Sequence, residues 1–158
     1  MTVKSTAVTG PSVKPDSRFN SIMASKFINC LMYDGKKSVA EKIFYEAMDI
    51  VAKKISDEEP LKVFETALNN VKPLVEVKSR RVGGANYQVP MQVKPKRQTS
   101  LCIRWILQAC RAKKGKPMAQ ALAAEICDAY RREGAAMTMR ENTNRMAEAN
   151  KAFAHFAW

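Results

Sequence analysis

The spacing of apolar side chains in this chain changes period twice. Between residues 20 and 72 they recur at every third or fourth position, as on the buried stripe of a helix. Between Val75 and Val93 they recur at every second position, with Gly83-Gly84 in the middle. From Leu101 onward the helical period returns. Two alternating runs about a Gly-Gly pair read as a β-hairpin. The chain is therefore expected to be a set of helices interrupted by one ribbon. Its 158 residues make one ordinary domain or at most two small ones, and an apolar content of 46% is enough to build a core.

Six helical stretches follow from the periodicity. The first starts near Asn20 with Ile22, Met23, Phe27, Cys30 and Leu31 on its stripe, and Tyr33-Asp34-Gly35 breaks it. The second runs from about Lys37 to Ile55 on Val39, Ile43, Phe44, Ala47, Met48 and Val51. Ser56-Asp57 is the expected N-cap of the third, whose stripe is Leu61, Phe64, Leu68 and Val71, and Pro73 ends it. The ribbon covers about 74–94. Pro90 makes it an edge ribbon, apolar on one face where it joins the body and polar near the tip at Ser79, Arg80 and Arg81. Such a hairpin is marginal alone and must lean on the helices at its base. Thr99 or Ser100 is the expected cap of the fourth helix (Leu101, Cys102, Trp105, Ile106, Ala109, Cys110). The fifth carries Met118, Leu122, Ile126 and Ala129 and stops near Gly134. The sixth runs from about Met139 to Ala152, is more polar, and is followed by Phe153, His155, Phe156 and Trp158. Residues 1–18 have no helical period and read as an extended basic arm with Lys4, Lys14 and Arg18. A segment of this kind orders on a partner or frays. Residues 19–158 then form a single, mainly α, helical domain.

The charge is concentrated. With 27 Lys and Arg against 15 Asp and Glu, the net charge is +12. Between residues 72 and 116 there are twelve bases and one acid, Glu76, so this segment carries +11 and the rest of the chain +1. The bases are Lys72, Lys78, Arg80, Arg81, Lys94, Lys96, Arg97, Arg104, Arg111, Lys113, Lys114 and Lys116. A solvated basic surface is the plain alternative. Clustered bases gain more from a phosphate backbone, because they release its counterions. Folded RNA read by backbone and shape fits better than a single-strand stacking platform, because few aromatics interleave with the bases. Tyr87 on the ribbon suits a core role as well as base stacking.

No catalytic constellation emerges. Cys30, Cys102, Cys110 and Cys127 lack the close pairing of a zinc site and read as core residues, so no metal or cofactor is expected. His155 is the only histidine and lies near the C-terminus, which leaves no Ser-His-Asp or Cys-His arrangement. No phosphate-binding Gly-Lys loop occurs, and Gly83-Gly84 precedes no helix. Asp57, Glu58 and Glu59 read as helix N-terminal charge, and the nine methionines as core filler. An enzyme with a small-molecule substrate is therefore not expected. No stretch approaches the roughly 20 apolar residues of a membrane span. No apolar run of about 7–15 residues opens the chain, so export is not expected and the thiols should be reduced. A free-standing basic helical DNA-binding regulator is the rival from another class. It predicts duplex binding by a dimer, but no clear recognition helix is seen.

Three stretches resemble a known family in order along the chain. Val75-Glu76-Val77-Lys78-Ser79-Arg80-Arg81-Val82-Gly83-Gly84-Ala85-Asn86-Tyr87-Gln88-Val89-Pro90 resembles the hairpin of bacterial-type small-subunit ribosomal protein seven. Asp34-Gly35-Lys36-Lys37 is similar to that family's first helix-to-helix turn, and residues 145–155 to its C-terminal motif. The resemblance covers residues 18–158. It implies a helical bundle with a protruding ribbon that binds the 3′ major domain of small-subunit ribosomal RNA and nucleates assembly of the subunit head. It further implies a position at the subunit interface near exit-site transfer RNA and the messenger path, beside ribosomal protein eleven and other head proteins. Together with the charge pattern, it gives Lys4, Lys14, Arg18, Lys36, Lys37, Lys72, Lys78, Arg80, Arg81, Lys94, Lys96, Arg97, Arg111, Lys113, Lys114 and Lys116 as RNA-facing candidates. Arg81, Val82, Gly83, Gly84, Ala85, Arg145 and Lys151 are the candidates nearest transfer and messenger RNA. The chain departs from the family pattern in an arm poor in arginine and in Asn142 and Asn144, where Asp and His are more usual. A cytoplasmic ribosome is the expected location, and an organellar ribosome of bacterial type is the alternative.

Overall fold

The computed structural model describes residues 12–157. Lys4 and most of the expected arm lie outside them. Among the described residues are six α-helices: α1 (Ile22–Leu31), α2 (Lys37–Lys54), α3 (Pro60–Val71), α4 (Pro95–Ala112), α5 (Met118–Tyr130) and α6 (Ala135–Ala149). Strands β1 (Val75–Val82) and β2 (Ala85–Gln92) form the ribbon between α3 and α4, and a 3-10 helix (Lys151–Phe156) follows α6. The mainly helical fold with one hairpin is as the periodicity predicts. No helix among the described residues is long and apolar enough to cross a membrane.

The entry to α1 is built around a carboxylate. Asp16 is 7% exposed and accepts the backbone N–H groups of Arg18, Phe19 and Ser21 and the Tyr45 hydroxyl. Ser21 then caps α1 by accepting the Ala24 N–H. Phe27, Phe44 and Phe64 from α1, α2 and α3 meet in the core with ring centroids 5.3–5.7 Å apart, all three fully buried. The central helix is α5, which packs against α2, α3, α4 and α6. Its buried Ala119, Ala121, Ala123 and Ala129 are small enough for the neighbouring helices to approach closely.

One buried charge links three elements. Glu125 on α5 is fully buried; its Oε1 accepts the Ala136 N–H at 2.9 Å and its Oε2 the Lys113 ammonium at 3.0 Å. This satisfies an orphan donor at the start of α6 and neutralises the carboxylate, as a buried charge requires. Gly134 makes room for it. Its φ is +93°, and a Cβ there would lie 3.1 Å from Glu125 Oε1 and 3.0 Å from the Asp128 Cβ.

The structure corrects several local expectations. Helix α3 is capped at Glu59 with Pro60 in its first turn, not at Ser56-Asp57, because proline has the helical φ and no N–H to leave unpaired. For the same reason α4 begins at Pro95. Thr99 and Ser100 sit inside it and turn their hydroxyls back to the Pro95 and Lys96 carbonyls. Helix α6 begins four residues earlier than Met139, and the chain tightens to 3-10 geometry after Asn150. Ile22 and Val39, read as stripe residues, are each 52% exposed. Cys30, read as core, is exposed, whereas Cys102, Cys110 and Cys127 are buried. Met48 and Met137 do fill the core, but Met146 is 51% exposed.

The ribbon's faces are also corrected. Gly83 and Gly84, both at positive φ, make a two-residue turn that pairs Val82 with Ala85 and sets the register as far as Val75 with Gln92. Residues opposite each other share a face. Val75 and Val77 therefore lie with Gln92 and Pro90, while Tyr87, Val89 and Met91 lie with Arg80, Lys78 and Glu76. Each face mixes apolar and polar residues. Val89 is fully buried, and Tyr87 packs on Phe153 and Phe156 of the 3-10 helix at 5.2 and 5.1 Å. Tyr87 thus joins a small aromatic cluster at the ribbon's side, outside the main core.

Candidate nucleic-acid interface

Helices α1 and α4 border a groove of about 960 Å³. One long face of α4 supplies Lys96, Thr99, Ser100, Ile103, Arg104, Leu107, Gln108 and Arg111, at the three-and-four spacing that keeps them aligned. Lys26, Asn29 and Cys30 come from α1. Ile103 and Leu107 are 3% exposed and form an apolar floor. The rim carries four bases, and none of the described lining residues is acidic. A wall of one charge sign over an apolar floor focuses potential into the groove and favours an anionic occupant.

The groove's two ends are basic as well. At one end Lys94 is the N-cap of α4 and Pro95, Lys96 and Arg97 open it, with no acid in its first turn. Bases at a helix N-terminus oppose the helix dipole unless an anion faces them. Arg97 also reaches Glu76 at 3.4 Å, and Lys78 reaches the same carboxylate at 3.5 Å. Glu76, with its side chain 13% exposed, thus ties the base of the ribbon to the start of α4. At the other end Arg111 lies over the Tyr33 ring, with 4.4 Å from its guanidinium carbon to the ring centroid. Lys36 and Lys37, at the start of α2, follow Tyr33 within four residues, and Lys113, Lys114 and Lys116 follow Arg111 within five.

The predicted residues therefore divide. Lys96 and Arg111 line the groove. Lys36, Lys37, Lys94, Arg97, Lys114 and Lys116 are exposed near its ends. Lys113 is committed to Glu125. On the ribbon, Lys78 and Arg81 are exposed, Arg80 is half-buried, and Val82, Gly83, Gly84 and Ala85 form the tip. Lys72 is half-buried and donates to Asn69 Oδ1 at 3.0 Å. Lys14 is exposed at the root of the arm. Arg18 is not brought to the groove: it pairs with Asp49 on α2 and lies over the rings of Phe19 and Tyr45. Arg145 on α6 and Lys151, the first residue of the 3-10 helix that packs on the ribbon, are exposed, and Lys151 is 3.8 Å from Glu148. Sequence reasoning missed Lys26 and Tyr33, and counted Arg104 in the basic segment without naming it among the RNA-facing candidates. The polar stripe 96, 100, 104, 108, 111 was the available signal, hidden because the fourth helix was read only through its apolar stripe. No cluster of His, Cys, Asp and Glu with metal-binding geometry occurs among the described residues.

Comparison with known proteins decides the family. The model of ribosomal protein S7p/S5e matches residues 3–151. The chain belongs to the S7p/S5e family of ribosomal proteins. It is 62% identical over 144 residues to small ribosomal subunit protein uS7 of Rhodopirellula baltica, covering 90% of this chain and 92% of that one. It is 57% identical over 146 residues to the uS7 protein of Desulfotalea psychrophila, covering 92% and 93%. With that of Solidesulfovibrio magneticus it shares 56% over 147 residues, covering 93% and 94%. The resemblance carried by the hairpin, the first turn and the C-terminal motif is thereby borne out, and an S7p/S5e protein is a structural component of the ribosome rather than an enzyme.

Proposed function

We propose that this S7p/S5e protein binds small-subunit ribosomal RNA, holding phosphates along the α1/α4 groove and its basic ends. The observation that carries the reading is the groove itself: four bases, no acid among the described lining residues, and basic turns at both ends. The partner is the 3′ major domain, and the protein nucleates folding of the subunit head by bridging RNA helices. In this reading residues 1–18 act as an arm on a single domain of 19–158. The ribbon tip, residues 81–85, with Arg145 and Lys151, faces exit-site transfer RNA and the messenger path. Ribosomal protein eleven and other head proteins are neighbours. The cytoplasmic ribosome of a bacterium is the location, in keeping with the relatives compared.

The test is a gel-shift titration against 3′ major domain RNA at two salt concentrations, with total transfer RNA and duplex DNA as competitors. Tight binding that survives both competitors and weakens with salt is expected. Each duplex phosphate neutralised contributes a slope of roughly −0.9 in log affinity against log salt. Binding that does not change with salt, or that DNA abolishes as readily as the cognate RNA, defeats the proposal. A preference for duplex DNA would instead support the regulator reading.

A further inference from the structure

We propose that the exposed Tyr33 ring, backed by Arg111, is a stacking platform for one unpaired nucleobase at the end of the α1/α4 groove. This deepens the proposed function and depends on it. Tyr33 follows α1 directly and is 63% exposed, far more than a ring of its size needs for packing. The Arg111 guanidinium covers one face at 4.4 Å, and the remaining exposure leaves the other side of the ring to solvent. Arg111 is also a groove residue, so a strand whose phosphates follow Lys26, Lys96 and Arg104 is led to this ring. A planar base gains from an aromatic face whatever its sequence. A guanidinium behind the ring adds positive charge next to the phosphate that follows the base. A base inside a regular RNA duplex has both faces covered and cannot use the platform. The groove therefore takes RNA with at least one nucleotide turned out of its helix at this end. Asn29 and Gln108 on the groove walls carry the amide donors and acceptors that pair with base edges.

The test uses the full-length protein, fluorescein-labelled short oligoadenylate, and the same strand annealed to oligouridylate, at one low salt concentration. Tyr33→Ala should weaken oligoadenylate binding by about tenfold, the worth of one base stacked on an aromatic ring, with little change for the duplex. Tyr33→Phe keeps the ring and should bind both probes as the wild type does. The salt slope of the alanine variant should match the wild type, because no charge is removed. The platform is overturned if Tyr33→Ala binds oligoadenylate like the wild type, if it loses both probes equally, or if Tyr33→Phe loses as much as Tyr33→Ala. Wild-type protein that binds neither probe would overturn the platform, whereas the proposed function stands or falls with the 3′ major domain titration. Normal salt-dependent binding that ignores Tyr33 would remove the platform alone.

Discussion

Two residues show how much a single side chain holds. Phe44 is fully buried and lies against Phe19, Phe27, Tyr45 and Phe64 with centroids 5.3–6.4 Å apart. Phe44→Ala leaves a void where α1, α2 and α3 meet and is expected to cost about 3–5 kcal/mol in a urea melt, without a change in how residual folded protein binds RNA. Asp16 does its work through charge. Burial raises its pKa, but donors from Phe19, Ser21, Tyr45 and Arg18 together outweigh burial and hold it below the ordinary value of 3.8. A carboxylate whose folded pKa is depressed contributes stability that is complete above the unfolded value and is lost as pH falls through the folded one. Asp49, lowered chiefly by Arg18, acts in the same window. The melting temperature should therefore fall as pH drops below about 3.8, and Asp16→Asn should show a shallower fall from a lower starting point. An equally steep fall in the variant would count against this role for Asp16.

At the scale of elements, the helices were legible because each keeps its apolar stripe within one continuous segment. The buried residues of α2 and α3, such as Phe44, Met48 and Val51 or Phe64, Leu68 and Val71, are on the stripes read from sequence. Helix starts were less legible, since Pro95-Lys96-Arg97 looks like a charged linker until the helical φ of proline is weighed against the charge. The ribbon's faces were illegible for another reason. Alternation within each strand gives a face only relative to that strand, and the turn decides which face of one strand joins which face of the other. With two residues in the turn, Val77 pairs with Pro90 and Lys78 with Val89, so the apolar rows part. The turn itself is testable. Gly84 has φ +85°, and a methyl group added there would meet nothing within 4 Å, so Gly84→Ala acts through backbone conformation alone. It should destabilise the ribbon by about 1 kcal/mol and speed amide exchange in β1 and β2, while the helical core keeps its protection.

Across the whole molecule, the basic segment 72–116 is spread over the ribbon, α4 and the turn after it. Three of its bases, Lys96, Arg104 and Arg111, share one groove because α1 lies beside α4. Sequence order gave the charge excess but not the groove, since Lys26 joins it from some seventy residues away from Lys96. The acidic residues Glu41, Glu46 and Asp49 lie on α2, away from that groove. The distribution of the four thiols has a practical consequence. Burial pushes the Cys102 thiol up to about 11, and burial with the Glu125 charge pushes Cys110 up to about 12; Cys127, also buried, is raised too. Cys30 is exposed on the groove wall. Its own pKa is raised by burial of its sulfur, so its alkylation should speed up as pH rises above neutral. A maleimide dye added to the folded protein should therefore attach at one position. Bound RNA should shield that thiol, turning a native cysteine into a built-in reporter of whether the groove is filled.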